Sequence, residues 1–167
     1  MKDGTVRMFA DYRALNKITI KNRAALPRAD EMIERLHGAK VFSKIDLRQN
    51  YNQIRIDPKD VFKTAFNTRY GHFGWGVMPL GLTDAPATFT ISMTDNFREY
   101  LDDFIIIYLD DMIISNKNAE EHAIHLKKVL ELLRDNKSYA KLSKCELFKN
   151  KMEFWFHRGR GWTSHDA

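Results

Sequence analysis

The stretch Glu99–Ser115, EYLDDFIIIYLDDMIIS, carries the tetrapeptide YLDD twice, at Tyr100–Asp103 and at Tyr108–Asp111. Adjacent carboxylates beside an apolar run repel one another and resist losing water, so their closeness needs a reason. What surrounds each copy differs. Upstream lies DAPATFTISMTDNFREYL, with Asp84 placed as N-cap, Pro86 in the first turn, and Phe89, Met93, Phe97 and Tyr100 at helical spacing. This predicts a helix running out at the first YLDD, which leaves Asp102 and Asp103 as solvated acids of a connection. The second copy divides FIIIY from MIIS, two runs of strand-forming residues, and predicts a hairpin with acids at its tip. Neighbours along a regular strand point to opposite faces, but at a turn the alternation breaks and Asp110 and Asp111 can approach one side. Carboxylates carried by a rigid hairpin suit hard cations such as Mg²⁺, which take oxygen ligands and keep several waters.

A two-metal site requires a further carboxylate from a separate element. Asp46, at the end of the apolar strand KVFSKID, supplies it. Spacing leaves a plainer use open, in which these strand-end acids cap turns or meet nearby lysines.

Working outward, TVRMFADYR predicts a strand over Val6–Tyr12, followed by a polar, basic loop. ADEMIERLHG predicts a short helix with Asp30 as N-cap, a buried stripe of Met32, Ile33 and Leu36, and a stop at Gly38. NQIRID alternates like a strand that Pro58 ends, and FKTAFNT begins another. NAEEHAIHLKKVLELLRDNK predicts a long helix burying Ala119, Ala123, Leu126, Leu130 and Leu133. Short strands follow at CELF and KMEFWF. Antiparallel strands with helices packed on one face make an α+β domain.

Composition excludes several classes. At 167 residues, 44% apolar and 29% charged, the chain suits one folded domain with a core. The apolar run Phe104–Leu109 is too short to cross a bilayer, and MKDGTVRMFADYR carries no signal-peptide pattern. A single cysteine, Cys145, permits no internal disulfide, fits a reducing compartment, and reads as a small buried apolar residue. The net charge of +5 and the basic, aromatic stretch KTAFNTRYGHFGWG suit a polyanion with stacked bases, or equally an amphipathic strand with a solvated basic face. His122 and His125 with Glu121 lack further close ligands and read as a solvated helix face rather than a metal site.

In order along the chain, RMFADYRALNKITIKN, LPRADEM, GAKVFSKIDLRQNYNQIRI, KTAFNTRYGHF, VMPLGLTDAPATF, YLDDFIIIYLDD and HLKKVLELLRDNKSYAKLSKCELF resemble the reverse transcriptase of gypsy-type long-terminal-repeat retrotransposons. The resemblance covers about residues 1–155. It implies an RNA-directed DNA polymerase: fingers mainly in about 1–40 and 57–78, palm in about 41–56 and 79–155, and a degenerate or disordered tail over 156–167. It also implies that Asp46, Asp110 and Asp111 hold two Mg²⁺ ions, for which Mn²⁺ can substitute. Arg7, with Lys2 beside it, would contact the incoming triphosphate. Tyr51 would lie under the sugar and exclude a 2′-hydroxyl, where the residues alone suggest a core tyrosine after a turn. Pro79, Leu80 and Gly81 would line the nucleotide and template side, and Tyr108 and Leu109 the primer end. The implied partners are an RNA or DNA template with primer, deoxynucleoside triphosphates, and the thumb and RNase H regions of a polyprotein. The implied setting is the cytoplasm, or a virus-like particle if the parent element is active.

The chain departs from the family pattern at several points. Asn50 stands in place of Gly, predicting a turn strained at positive φ, and Asp84 in place of Asn adds negative charge. Gly74–Gly76 puts small, flexible residues where bulkier ones are usual, and FWFH at Phe154–His157 replaces FLGH. Two rival readings follow. One is a decayed remnant with residual nucleic-acid binding, favoured by FWFHRGRG and opposed by the three aspartates. The other is an RNA-dependent RNA polymerase palm, opposed by Tyr51.

Overall fold

A computed structural model describes residues 8–22, 28–101, 103–109, 111–156 and 160–163. Lys2, Arg7, Asp102 and Asp110 therefore lie outside the described residues, as does most of the strand expected from Val6. The chain divides into two compact units, Met1–Arg23 with Gln49–Phe89, and Ala24–Arg48 with Thr90–Ala167.

The second unit is built on a four-stranded sheet. Its strands are β1 (Val41–Asp46), β4 (Ile105–Tyr108), β5 (Asp111–Asn116) and β6 (Glu146–Lys149), in the order β4-β5-β1-β6 with every pair antiparallel. Because side chains alternate, the register sorts them onto two faces. One face carries Phe42, Ile106, Tyr108 and Ile113, which form a core with Met32 and Leu36 of helix α2 (Ala29–Leu36) and with Met152. The other carries Ser43, Ile45, Ile105, Met112 and Ile114, and helix α4 (Ala119–Asp135) packs against β1 and β5.

Several local expectations change. Helix α2 is capped by Arg28 without a side-chain bond, and Asp30 falls inside its first turn. There it complements the helix dipole instead of capping it. Gly38 does follow the helix at φ 78°, a left-handed conformation that favours glycine. Helix α4 is capped by Asn118, whose side chain accepts from Glu121 N, but its buried stripe is His122, Leu126, Val129 and Leu133. Ala119, Ala123 and Leu130 are exposed. The tail is not wholly irregular: β7 (Glu153–Phe156) pairs with β8 (Arg160–Thr163), Phe156 opposite Arg160.

The first unit is mostly turns. Residues 8–12 form no regular element, and α1 (Arg13–Ile18) occupies part of the expected loop. NQIRID is not a strand. Asn50–Gln53 is a 3₁₀ turn, and ladder pairing is limited to one bridge, Arg55 with Val77. Pro58–Thr64 is a second 3₁₀ segment, capped by the Asp57 side chain, so the strand expected at FKTAFNT shrinks to β2 (Phe66–Thr68), paired with β3 (Gly71–Phe73). Gly74 reflects crowding more than flexibility, because an added Cβ would lie 2.8 Å from Val61 Cγ1. Helix α3 (Ala85–Asn96) buries Phe89 and Met93, and Phe97 beyond its end is buried too. Tyr100 belongs to a separate 3₁₀ turn, Arg98–Tyr100.

Candidate active site

Asp46 ends β1 and Asp111 begins β5, and the two are direct partners across the antiparallel ladder. Directly opposed residues share a face, with Cα atoms about 4.5–5.5 Å apart. Their carboxylates therefore emerge side by side at the rim of the sheet, on the face whose interior is filled by Phe42, Ile106, Tyr108 and Ile113. Tyr108 pairs with Asp111 in turn, which closes the β4–β5 hairpin with Leu109 in its short connection. Leu109 takes φ 53° there. Connections this short need positive φ to match the twist of their strands, and Leu has no ease in that region. Leu109 packs against the core cluster, which holds it in place.

Each described carboxylate meets a lysine. Lys44 Nζ lies 3.0 Å from Asp111 Oδ2, with side chains 24% and 30% exposed. Lys144 Nζ lies 3.0 Å from Asp46 Oδ2, with side chains 55% and 21% exposed. Lys44 is two residues before Asp46 on the same strand and face. Lys144 arrives through the segment after α4, which is laid along the end of β1: Arg48 N donates to Tyr139 O and Lys141 N to Asp46 O. The 3₁₀ turn Leu142–Lys144 then projects the lysine toward the acid. Cys145 is half-buried, with its thiol 3.4 Å from the Lys141 carbonyl, so it braces this turn and is not the buried apolar residue expected.

Among the described residues no three His, Cys, Asp or Glu side chains gather as a metal site. The donor chemistry nevertheless fits a hard cation: two partly exposed carboxylates on facing strand ends, with Asp110 adjoining in sequence. Among the described residues the first YLDD offers nothing comparable. Asp103 is exposed in a turn, its N–H donating to Tyr100 O.

His122 is 0% exposed, contrary to the solvated face expected. Its Nε2 is 2.7 Å from Ser43 Oγ and its Nδ1 2.8 Å from Asn116 Oδ1, while Asn116 Nδ2 is 2.7 Å from His125 Nδ1. Phe148 N donates to Ser43 Oγ, and the His125 ring stacks on Phe104. A neutral His122 with its proton on Nδ1 satisfies every bond in this chain. Burial, and secondarily the neighbouring His125, hold its pKa below the ordinary histidine value. Both imidazoles are occupied in tying α4 to the sheet.

In the first unit, Tyr51 is half-buried in its 3₁₀ turn, its ring edge-on to Phe89 with centroids 5.8 Å apart. The strained residue of this turn is Gln49, at φ 49°, whereas Asn50 is helical. Pro79 is buried, Leu80 half-buried, and Gly81 exposed at φ 102°. Asn16 fixes this loop by donating to Gly81 O at 2.8 Å and accepting from Thr83 N at 2.9 Å. Asp84 keeps the N-cap position, its carbonyl accepting from Thr88 N, and its carboxylate accepts from Asn22 N. Asn16, Lys44 and Lys144 escaped the sequence reading. Lys44 had a signal, since a lysine in register with a buried strand face needs a counter-charge.

The profile described as reverse transcriptase (RNA-dependent DNA polymerase) matches residues 2–156. An RNA-directed DNA polymerase homolog of Oenothera berteroana is 47% identical over 134 residues, covering 78% of this chain and 94% of its own length. The retrovirus-related Pol polyprotein from transposon 297 of Drosophila melanogaster is 38% identical over 151 residues, 90% of this chain but 14% of that polyprotein. Among solved structures, a foamy viral protease-reverse transcriptase in complex with RNA/DNA hybrid superposes with a TM-score of 0.78 at 29% identity, covering 89% of this chain and 20% of that one. The α+β fold is thus that of a polymerase palm and fingers. The chain belongs to the reverse transcriptase family, and it is a domain of the kind carried by retrotransposon polyproteins. No helix among the described residues is long and apolar enough to cross a membrane.

Proposed function

We propose that this chain is the palm and part of the fingers of an RNA-directed DNA polymerase from a gypsy-type element, acting in the cytoplasm or a virus-like particle. The observation that carries the reading is the direct pairing of Asp46 with Asp111 at the end of the β4–β5 hairpin. Reverse transcriptases use divalent metal ions, and carboxylate oxygens from two strands suit Mg²⁺, with Mn²⁺ as a substitute. Asp46, Asp110 and Asp111 would hold two such ions, which when bound activate the primer 3′-hydroxyl and neutralise the departing pyrophosphate. Arg7 and Lys2 take the triphosphate by charge. Pro79, Leu80 and Gly81 line the nucleotide and template side, on a loop that Asn16 keeps rigid. Tyr108 and Leu109 support the primer end from the strand that leads into the acids.

Tyr51 is the sugar gate of this proposal, and the edge-on Phe89 ring keeps it from yielding. The test is primer extension on an RNA template by this chain joined to the thumb and RNase H regions of its polyprotein. Deoxynucleotide incorporation is expected, and Tyr51→Val should raise ribonucleotide use at least roughly tenfold relative to deoxynucleotide use. An unchanged ratio makes Tyr51 a core residue. A parent enzyme that prefers ribonucleotides is an RNA polymerase palm, and one that incorporates nothing is a remnant.

A further inference from the structure

The lysine partners of Asp46 and Asp111 have no part in the function proposed above. We infer that Lys44 and Lys144 are built-in counter-cations, which hold the two carboxylates in working geometry until divalent metal displaces their ammonium groups. The inference rests on the proposed metal role of the aspartates.

Two facing carboxylates repel, and in the absence of metal each would turn outward to water. Here each is matched by one ammonium group at 3.0 Å, and the two lysines come from different elements. Among the described residues, each of these two negative charges thus meets a positive one. Lys44 is the more informative of the two. It sits mid-strand, opposite Ile113, between the acids at the rim and the apolar Phe42, Ile106, Tyr108 and Ile113 of the same face. An ammonium group at such a position costs desolvation unless it is paired, so its presence calls for a purpose. Lysine suits a temporary partner: its charge rides on a flexible four-carbon stem and makes no bidentate grip on a carboxylate, as arginine would. A compact divalent ion outcompetes it, and the stem then withdraws along the apolar face while the carboxylates stay in place. Lys144 is more than half exposed and has water to swing into.

The test uses the full 167-residue chain and Mn²⁺, read by loss of the free-ion electron paramagnetic resonance signal. Lys44→Met should lower the thermal midpoint in chelator, because Asp111 then faces Asp46 with one counter-charge fewer. The same variant should bind Mn²⁺ roughly fivefold more tightly, the factor expected from removing a partly exposed ion pair as competitor. In the unsubstituted chain, acylation of Lys44 and Lys144 followed by mass spectrometry should rise severalfold when Mn²⁺ is added. This second measurement, with Lys44→Gln, decides the matter if Lys44→Met does not fold. If Asp46→Asn abolishes Mn²⁺ binding while the Lys44 variants bind no more tightly and acylation is unchanged, the counter-cation role fails and the metal role stands. If Asp46→Asn leaves Mn²⁺ binding intact, or the unsubstituted chain binds none, the metal role itself fails and the inference with it.

Discussion

Tyr100 closes a 3₁₀ turn and is half-buried against Phe104, whereas Tyr108, eight residues on, closes strand β4 and is 8% exposed inside the core. Leu101 has φ −63° and Leu109 φ 53°. Asp103 faces solvent, while Asp111 opens a strand and faces Asp46. The described residues of the two copies, Tyr, Leu and the second Asp, thus take unlike structures. What separates them is a partner far away in sequence: β1 fixes where Asp111 points, and among the described residues no strand is paired with Asp103. A motif of this kind has chemical meaning only through the strand it is paired with.

The sharpest way to break the comparison is to neutralise one acid in each copy. In the polymerase context, Asp111→Asn should lower incorporation by roughly 10²–10³-fold, as loss of a transition-state charge stabiliser does, while Asp103→Asn should leave it nearly unchanged. Single-nucleotide incorporation rates check this, and equal losses would mean that the copies were told apart wrongly. Truncating each tyrosine sharpens the packing side. Tyr108→Ala removes a ring from the core cluster and should cost about 3 kcal/mol of stability, against about 1 kcal/mol for the half-buried Tyr100→Ala. Urea midpoints at unchanged slope measure both.

A smaller effect tests whether the sheet that distinguishes the copies is held from behind by α4. Burial, and secondarily the neighbouring His125, hold the pKa of His122 in the fold below the value of 6.5 expected in an unfolded chain. Above that value both states are neutral and the stabilisation is fully present. As pH falls through 6.5 the unfolded chain takes up a proton that the folded His122 resists, so stability declines toward acid. The groups facing His122 are Ser43, Asn116, His125 and Phe148. His122→Asn should start less stable at pH 8 and lose less between pH 7 and 5 than the parent chain. Parallel slopes in thermal unfolding across that range would remove the histidine from this role.

The elements legible in the sequence were those with a strong period or a hard stop. The hairpin at FIIIYLDDMIIS, the strand ending at Asp46, the helix closed by Gly38 and the helix opened by Asn118 all announced themselves locally. The face of α4 did not. Its alanines and leucines formed a plausible stripe, and His122 counted as polar because the groups that satisfy it, Ser43 and Asn116, sit on a sheet that sequence spacing cannot display. NQIRID imitated a strand because Ile54 and Ile56 alternate with polar residues, but Asn52 N and Ile54 N bond into turns. Pairing is confined to the single bridge of Arg55 with Val77, flanked by the bonds Ile56 N to Gly76 O and Met78 N to Ile54 O. In the candidate site, the carboxylates were legible because strand ends and turns mark them. The Lys144–Asp46 pair spans 98 residues, and no local pattern predicts it.

Strand β4 lies at the edge of its sheet, and all of Ile105–Tyr108 is buried in the folded state. Before folding is complete, Phe104–Tyr108 is a short, uncharged, β-prone run of the kind that stacks with copies of itself into fibrils. The two acid pairs bracket that run, Asp102–Asp103 before it and Asp110–Asp111 after it. Stacking in register would bring each pair against its own image every 4.7–4.8 Å or so, a repulsion that guards nascent chains against self-assembly. On this account the acids of the first YLDD protect the solubility of the chain whatever their part in its chemistry.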